Sequence, residues 1–189
     1  MKTTREEIIN VAGELFRSKG YRATTLTDIA DKVGLLKGSL YHHIGSKEEL
    51  LIEVATPPIR AMVAELRIII DKEMCALDRL HEAVDNHLSH LHADYPHIFV
   101  YLQERFGSDQ SELVELSRTY QRLLEELIRE GIAAGELRSD VNPRLTVFFI
   151  LGACNWMHKW YTPGRDVDIE TVKRDFAVLF RAGVGANSS

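Results

Sequence analysis

Cysteine is nearly absent from this chain of 189 residues. Cys75 and Cys154 are too few for a disulfide framework and suit a reducing compartment. Five prolines and twelve glycines are too few for a fibrous or low-complexity protein. No excess of positive charge exists either: the formal balance is −5, which excludes a protein that coats nucleic acid through a uniformly basic surface. Long hydrophobic runs are also missing. The most apolar stretch, Leu145 to Tyr161, loses its uncharged character after His158, short of the roughly 20 residues a bilayer requires. Asn155 and Lys159 argue further against insertion, so no membrane partner is expected. The start, Met1 to Glu7, has no apolar core of a secretion signal, and a cytoplasmic location is expected. What is present is 45% hydrophobic and 27% charged residues, too apolar for disorder. That is enough to bury one larger core, or a small one joined to a medium one.

The charge is unevenly placed. Residues 1–50 hold eight Lys/Arg against seven Asp/Glu, whereas residues 51–189 hold fifteen against twenty-one. Between Tyr21 and Lys47 four basic residues face two acidic ones, beside the pair His42-His43. A near-neutral head on an acidic body is compatible with a local anionic partner.

Every segment with a clear period reads as helix, about nine in all, and no alternating strand pattern of useful length appears. The expected class is all-α. Ile8, Ile9, Ala12, Leu15 and Phe16 mark a first helix, opened by a Thr4/Glu7 capping box and stopped at Gly20. A second follows Thr25, with Leu26, Ile29, Ala30 and Val33 on one face and Gly34 at its end. A third is predicted from Lys37 to Ile44, and Ser46 with Glu49 opens a fourth with another capping box. Pro57-Pro58 is expected to break or kink that fourth helix and to stiffen the connection around it. The domain boundary is placed near there: a head over residues 1–50 and a body over 51–189. Further helices are expected around Leu77–Leu91, Ile98–Phe106 and Leu113–Ile128, then from Asn142-Pro143 to Tyr161, and last around Ile169–Phe180.

The segment from Thr25 to Ile44 has a helix–turn–helix logic. Ala30 is small where two helices would cross, Gly34 lies where the turn wants a positive φ, and Leu40 with Ile29 and Val33 supplies the core that locks the pair. The second helix of such a unit enters the major groove with its N-terminal residues facing base edges. A generic helical corner is the competing reading.

Thr25 to Leu51, and above all the run Gly38-Ser39-Leu40-Tyr41-His42-His43 followed by Ser46-Lys47-Glu48, resembles the DNA-binding head of the TetR family of bacterial repressors. The resemblance implies a homodimer on a palindromic double-stranded operator, released by a small-molecule effector. It implies that Lys37, Gly38 and Ser39 begin the recognition helix, Lys37 donating to guanine and Gly38 admitting the backbone closely. Tyr41 would touch thymine methyl and phosphate, and His42 and His43 the DNA backbone. Lys47 would clamp a phosphate, while Thr25 and Thr27 would offer hydroxyls to phosphate. One departure is visible: Leu36 stands where many relatives cap the recognition helix with Ser or Thr. Either the helix is looser when free or Leu36 packs inward.

In the body, twelve of the seventeen residues from Leu145 to Tyr161 are apolar and surround their helix, which must therefore be covered on all sides. By the resemblance, this helix and the last one, with Phe176 and Phe180, form a four-helix bundle across the dimer axis. Tyr101, Phe106, Phe149, Asn155, Trp156 and Trp160 are the candidate effector-binding residues, because buried Trp and Asn need hydrogen-bond partners and hint at a lined cavity. The run Gly152 to Gly164, ending Trp160-Tyr161-Thr162-Pro163-Gly164, resembles a subgroup whose effectors are coenzyme A thioesters and which controls fatty-acid, aromatic-acid or sterol catabolism. Arg105, Lys159 and Arg165 are the nearby cations for its phosphates. The rival constellation is histidine: His87, His90 and Asp94 fall on one helix face within 81–97, which allows a metal-responsive repressor. No catalytic constellation stands out and no cofactor is implied, although a helical enzyme or carrier that merely contains such a corner is a further alternative.

Overall fold

The computed structural model describes residues 4–94, 98, 102, 112–165 and 167–186. Its elements are α1 (Arg5–Lys19), α2 (Leu26–Lys32), α3 (Lys37–Leu40), α4 (Lys47–Ile70), α5 (Ala76–Ala93), α6 (Glu112–Ala133), α7 (Pro143–Asn155), a 3-10 turn (Trp156–Lys159) and α8 (Ile169–Val184). Among the described residues there is no strand, only an isolated bridge between Leu137 and Gly185. The fold is all-α. No helix among these residues is long and apolar enough to cross a membrane.

The head forms as its sequence dictates. Thr4 and Glu7 close a reciprocal capping box on α1, and Thr25 and Asp28 close another on α2. Gly34, at φ 72°, ends α2 in a Schellman turn: Leu35 N–H donates to the Ala30 carbonyl at 2.9 Å and Gly34 N–H to Asp31 at 3.2 Å. Ile8, Ala12 and Phe16 of α1, Ile29 and Ala30 of α2, Leu40 of α3 and Leu50, Leu51 and Val54 of α4 make one buried cluster. Burial of each large side chain there contributes about 1.5–3 kcal/mol.

Two boundaries differ from expectation. The third helix is α-helical only over Lys37–Leu40. Bonds of the tighter i→i+3 kind, His42 N–H to Ser39 and His43 N–H to Leu40, then alternate with one α-type bond, Ile44 N–H to Leu40 at 3.1 Å, so the predicted side-chain phase survives although the regular α ladder stops. The apolar stretch beginning at Pro143 likewise turns from α to 3-10 winding after Asn155.

Pro57-Pro58 does not break α4, which runs 24 residues from Lys47 to Ile70. The two missing N–H groups leave the Glu53 and Val54 carbonyls without their intrahelical donors. Side chains keep the helix whole across this gap. Leu50, Leu51 and Val54 are buried in the head, whereas Met62, Val63, Leu66 and Ile69 are buried in the body. Between them Ala55 and Ile59 pack on Leu113 of α6. In the body α4 lies along α5 and α6, and α5 is covered on another side by α8. Buried Arg79 of α5 ties these together, donating to the Ile70 carbonyl at 2.7 Å and pairing with Glu130 of α6 at 2.5 Å.

Candidate functional site

Two regions carry the chemistry. The first is the exposed side of α2 and α3. Lys37, Gly38, Tyr41 and His42 are exposed, and Ser39 and His43 half-buried, on one short segment presented by the head core. Thr27 is exposed on the first turn of α2. Thr25 caps that helix: its hydroxyl accepts from Asp28 N–H at 3.1 Å and donates to the Asp28 carboxylate at 2.8 Å. Its proton is therefore engaged, and only the remaining acceptor capacity faces outward. Lys19 at 2.8 Å, and then the Thr25 backbone N–H, hold the Asp28 carboxyl far below the usual carboxylate range.

Lys47 departs from its expected role. Its ammonium turns inward, donates to the carbonyls of Tyr21 and Thr24 at 2.9 Å each, and lies 4.3 Å from the Tyr21 ring centroid. Those carbonyls precede α2, so Lys47 is a strut between α4 and the start of the helix–turn–helix. The Ser46 cap of α4 is only half the expected box. Ser46 accepts from Glu49 N–H at 3.0 Å, but Glu49 reaches Gly45 N–H at 2.7 Å and Arg5 instead. Arg5 also pairs with Glu53 and donates to the His43 carbonyl, linking α1, α4 and the end of the recognition segment. Leu36 neither caps α3 nor packs inward; it is 81% exposed.

The second region is a cavity of about 250 Å³ in the body. Its walls are Ile59 and Met62 of α4, His87 of α5, Ser117, Tyr120 and Gln121 of α6, Leu151 and Asn155 of α7, and Ile98 and Leu102. The polar side is a wired set. Asn155 Oδ1, 3.0 Å from His87 Nε2, can only accept, so Nε2 carries the proton; Nδ1 then accepts from the Tyr120 hydroxyl at 3.2 Å. Burial pushes His87 down to about 4, against the opposing effect of the Asn155 bond, and drives the Tyr120 phenol well above its ordinary value. Both groups stay neutral near pH 7. Cys154, behind them, is pushed up to about 12 by burial and is not a thiolate.

Of the expected effector residues that are described, Asn155 alone lines this cavity. Phe149 (62% exposed), Trp156 (59%) and Trp160 (43%) point away from it. The phase of α7 explains the error: Thr146, Val147, Ile150 and Cys154 take the buried face, which leaves Leu145, Phe148 and Phe149 on the other. The 3-10 turn then buries Met157 and carries Trp156 outward. These side chains join Val178 and Leu179 of α8 as exposed apolar surface, and Phe149 meets Phe180 edge-on at 5.8 Å. Tyr101, Phe106 and Arg105 lie outside the described residues. Lys159 and Arg165 are exposed and do not line the cavity.

The histidine constellation comes apart. His87 points into the cavity, whereas His90 sits between Asp94 at 3.2 Å and Glu65 at 2.9 Å in a groove between α4 and α5, which raises its pKa. Among the described residues no group of three or more His, Cys, Asp or Glu is arranged to hold a metal ion. The wall residues that periodicity did not single out are Ser117 and Gln121, one helical turn apart on α6, whereas Ile59 and Met62 carry the apolar spacing of α4. His87 did carry a signal, as a polar residue inside the apolar stripe Leu80, Val84, Leu88, Leu91.

Comparison with known proteins identifies the family. Residues 8–54 match the family described as "Bacterial regulatory proteins, tetR family", and residues 74–184 match "Tetracyclin repressor-like, C-terminal domain". The chain is 31% identical over 187 residues to the HTH-type transcriptional repressor KstR2 of Mycolicibacterium smegmatis, covering 95% of this chain and 90% of that one. It superposes on the ketosteroid transcriptional regulator KstR2 of Mycobacterium tuberculosis with a TM-score of 0.83 at 26% identity, over 99% of this chain and 97% of that one. AibR, solved in complex with isovaleryl coenzyme A and operator DNA, shares the fold with a TM-score of 0.79 at 22% identity, over 93% and 96% of the two chains.

Proposed function

From the premise that the chain belongs to the TetR family of bacterial regulators, we propose that it is a homodimeric transcriptional repressor of the bacterial cytoplasm, which an acyl coenzyme A thioester releases from its operator. Residues 1–50 are the DNA-binding head, and residues 51–189 the effector-binding and dimerisation body. The protein binds its effector without transforming it.

The observation that carries this reading is the course of α4. One continuous helix is buried in the head through Leu50, Leu51 and Val54 and walls the body cavity through Ile59 and Met62. A ligand that wedges against Ile59 and Met62 therefore pushes on the same rod that positions α2 and α3. The apolar cavity floor suits an acyl group, and the neutral His87, Tyr120 and Asn155 set suits an uncharged carbonyl rather than a carboxylate. The coenzyme A class draws its support from the Trp160 to Gly164 run and from AibR, a protein of this fold seen with such a ligand.

One recognition segment contacts too few bases for useful specificity, so two heads about one helical turn apart are required. Leu145, Phe148, Phe149, Val178 and Leu179, exposed on α7 and α8, supply the apolar surface that a twin copy would cover. In each head Lys37 reads guanine acceptors, Gly38 and Ser39 allow close approach, Tyr41 touches thymine and phosphate, and Thr27, His42 and His43 contact the backbone, whereas Thr25, its hydroxyl proton held by Asp28, serves as the cap of α2. Effector binding selects a dimer whose heads are wrongly spaced. Each tenfold loss of operator affinity needs about 1.4 kcal/mol of ligand preference for that state.

The test is selection of bound sequences from a random duplex library by the full chain, then titration of the selected duplex complex with short-chain and ring-bearing acyl coenzyme A thioesters and with their free acids. A palindromic sequence released by thioesters is the expected result. Absence of any enriched sequence refutes the repressor reading, and release by the free acids alone refutes the effector class.

A further inference from the structure

Leu36 has no evident use in the free protein. It occupies the N-cap of α3 in extended conformation, φ −68° and ψ 144°, and makes no capping bond, which Ser, Thr, Asp or Asn would make there. Its neighbour Leu35 packs against the head core, yet Leu36 stands 81% exposed, more than any other large hydrophobic side chain among the described residues. Within the described head only one other large hydrophobic side chain is exposed, Tyr41, and the two bracket α3 from its N-cap and C-cap positions. Exposed large hydrophobic side chains in the described head are thus confined to the recognition segment.

We propose that Leu36 is a specificity determinant that contacts the 5-methyl group of a thymine in the operator's major groove. The inference rests on the repressor reading above. The N-terminal residues of a recognition helix face base edges, and of the four bases only thymine presents an apolar group to the major groove. A leucine at this position has no hydrogen bond to offer a base, so its discrimination runs through that methyl. Lys37, exposed and next in sequence, covers the polar alternative at guanine. A second protein is a poorer occupant, because one leucine beside a cation and a glycine is too small an apolar area for a stable interface.

Burying one methyl group against a side chain is worth about fourfold in affinity, hence about 15-fold when both half-sites of a palindrome carry it. The experiment takes the duplex selected by the full wild-type chain and replaces its thymines one position at a time by deoxyuridine, which lacks only the methyl. Wild type is expected to lose about fourfold per half-site at one position near the guanine read by Lys37. L36A is expected to bind the thymine duplex more weakly by the same factor, to be indifferent to deoxyuridine at that position, and to select sequences no longer requiring thymine there. L36S restores a capping oxygen and is expected to show the same indifference.

Insensitivity of the wild type to every deoxyuridine overturns the inference. So does an L36A or L36S protein that keeps the wild-type thymine preference, since the leucine would then matter only as a missing cap. A library that yields no enriched sequence overturns the repressor reading itself, a distinguishable failure. Because the side chain is exposed, L36A is expected to keep the wild-type melting temperature, and L36S to keep or raise it through the restored cap.

Discussion

Acid should loosen the body through His87. In the unfolded chain this imidazole titrates near 6.5, whereas in the folded body burial holds it down at about 4. Between those values the unfolded chain takes up a proton that the folded one refuses. Stability contributed by neutral His87 is therefore present above pH 6.5 and lost as pH falls toward 4. Between pH 7 and pH 5 the loss is about 2 kcal/mol, a large part of a typical folding free energy. The measurement is urea unfolding at both pH values, at one fixed protomer concentration, for wild type and His87→Gln. Gln breaks the bonds to Tyr120 and Asn155, so the variant starts lower at pH 7. Its fall between pH 7 and 5 should nevertheless be smaller by about 2 kcal/mol, because it has no proton to refuse. Groups remote from His87 drop out of the difference, while the charge on His90 adds to the cost of protonating His87 in the wild type alone. Parallel pH profiles for the two proteins would refute the assignment of His87 as a buried neutral group.

Lys47→Met removes two bonds to the carbonyls that precede α2, so it should lower stability by about 1–3 kcal/mol. It should weaken all duplexes alike while leaving the slope of log affinity on log salt unchanged; a slope smaller by about 0.9 per protomer would show a phosphate contact instead. Gly131→Ala should destabilise by about 1–3 kcal/mol in thermal unfolding despite better helix propensity, because a Cβ there would stand 2.7 Å from Leu137 and 2.9 Å from the Ala76 Cβ. An unchanged or higher melting temperature would contradict that packing. Leu179→Glu should give a monomer in sedimentation, with operator affinity lost and the helical spectrum kept; a persisting dimer would place the interface elsewhere. His90, raised chiefly by Asp94, contributes stability that is fully present below pH 6.5 and lost as pH rises through its raised value. His90→Gln should accordingly matter more at pH 6 than at pH 8, as urea midpoints would report.

Local chemistry made the head readable. The cap at Thr4, the turn glycine at 34 and the apolar phase of Ile29, Ala30 and Leu40 are short-range signals, and each acts in the structure as read, whereas Thr25, read as a phosphate donor, proves to be the cap of α2. The cavity was less legible because its walls come from five separate segments and no period in one segment reports which neighbour it faces. Aromatic content misled at Phe149, Trp156 and Trp160: a ring that must be covered looks the same in sequence whether a ligand or a twin subunit covers it. Lys47 misled for a related reason, since sequence gives a cation but not the direction in which its long stem folds. Pro57-Pro58 failed as a breaker because packing on both sides outweighs two absent hydrogen bonds.

That proline pair has an evolutionary corollary. With the backbone ladder interrupted at Glu53 and Val54, the tilt of one half of α4 against the other is governed by which side chains wedge around the gap. Drift at Leu51, Val54, Ile59 or Met62 can thus retune how far apart two reading heads stand, and how readily an inducer parts them, while every base-contacting residue stays untouched. Responsiveness and address are separately adjustable along a single rod.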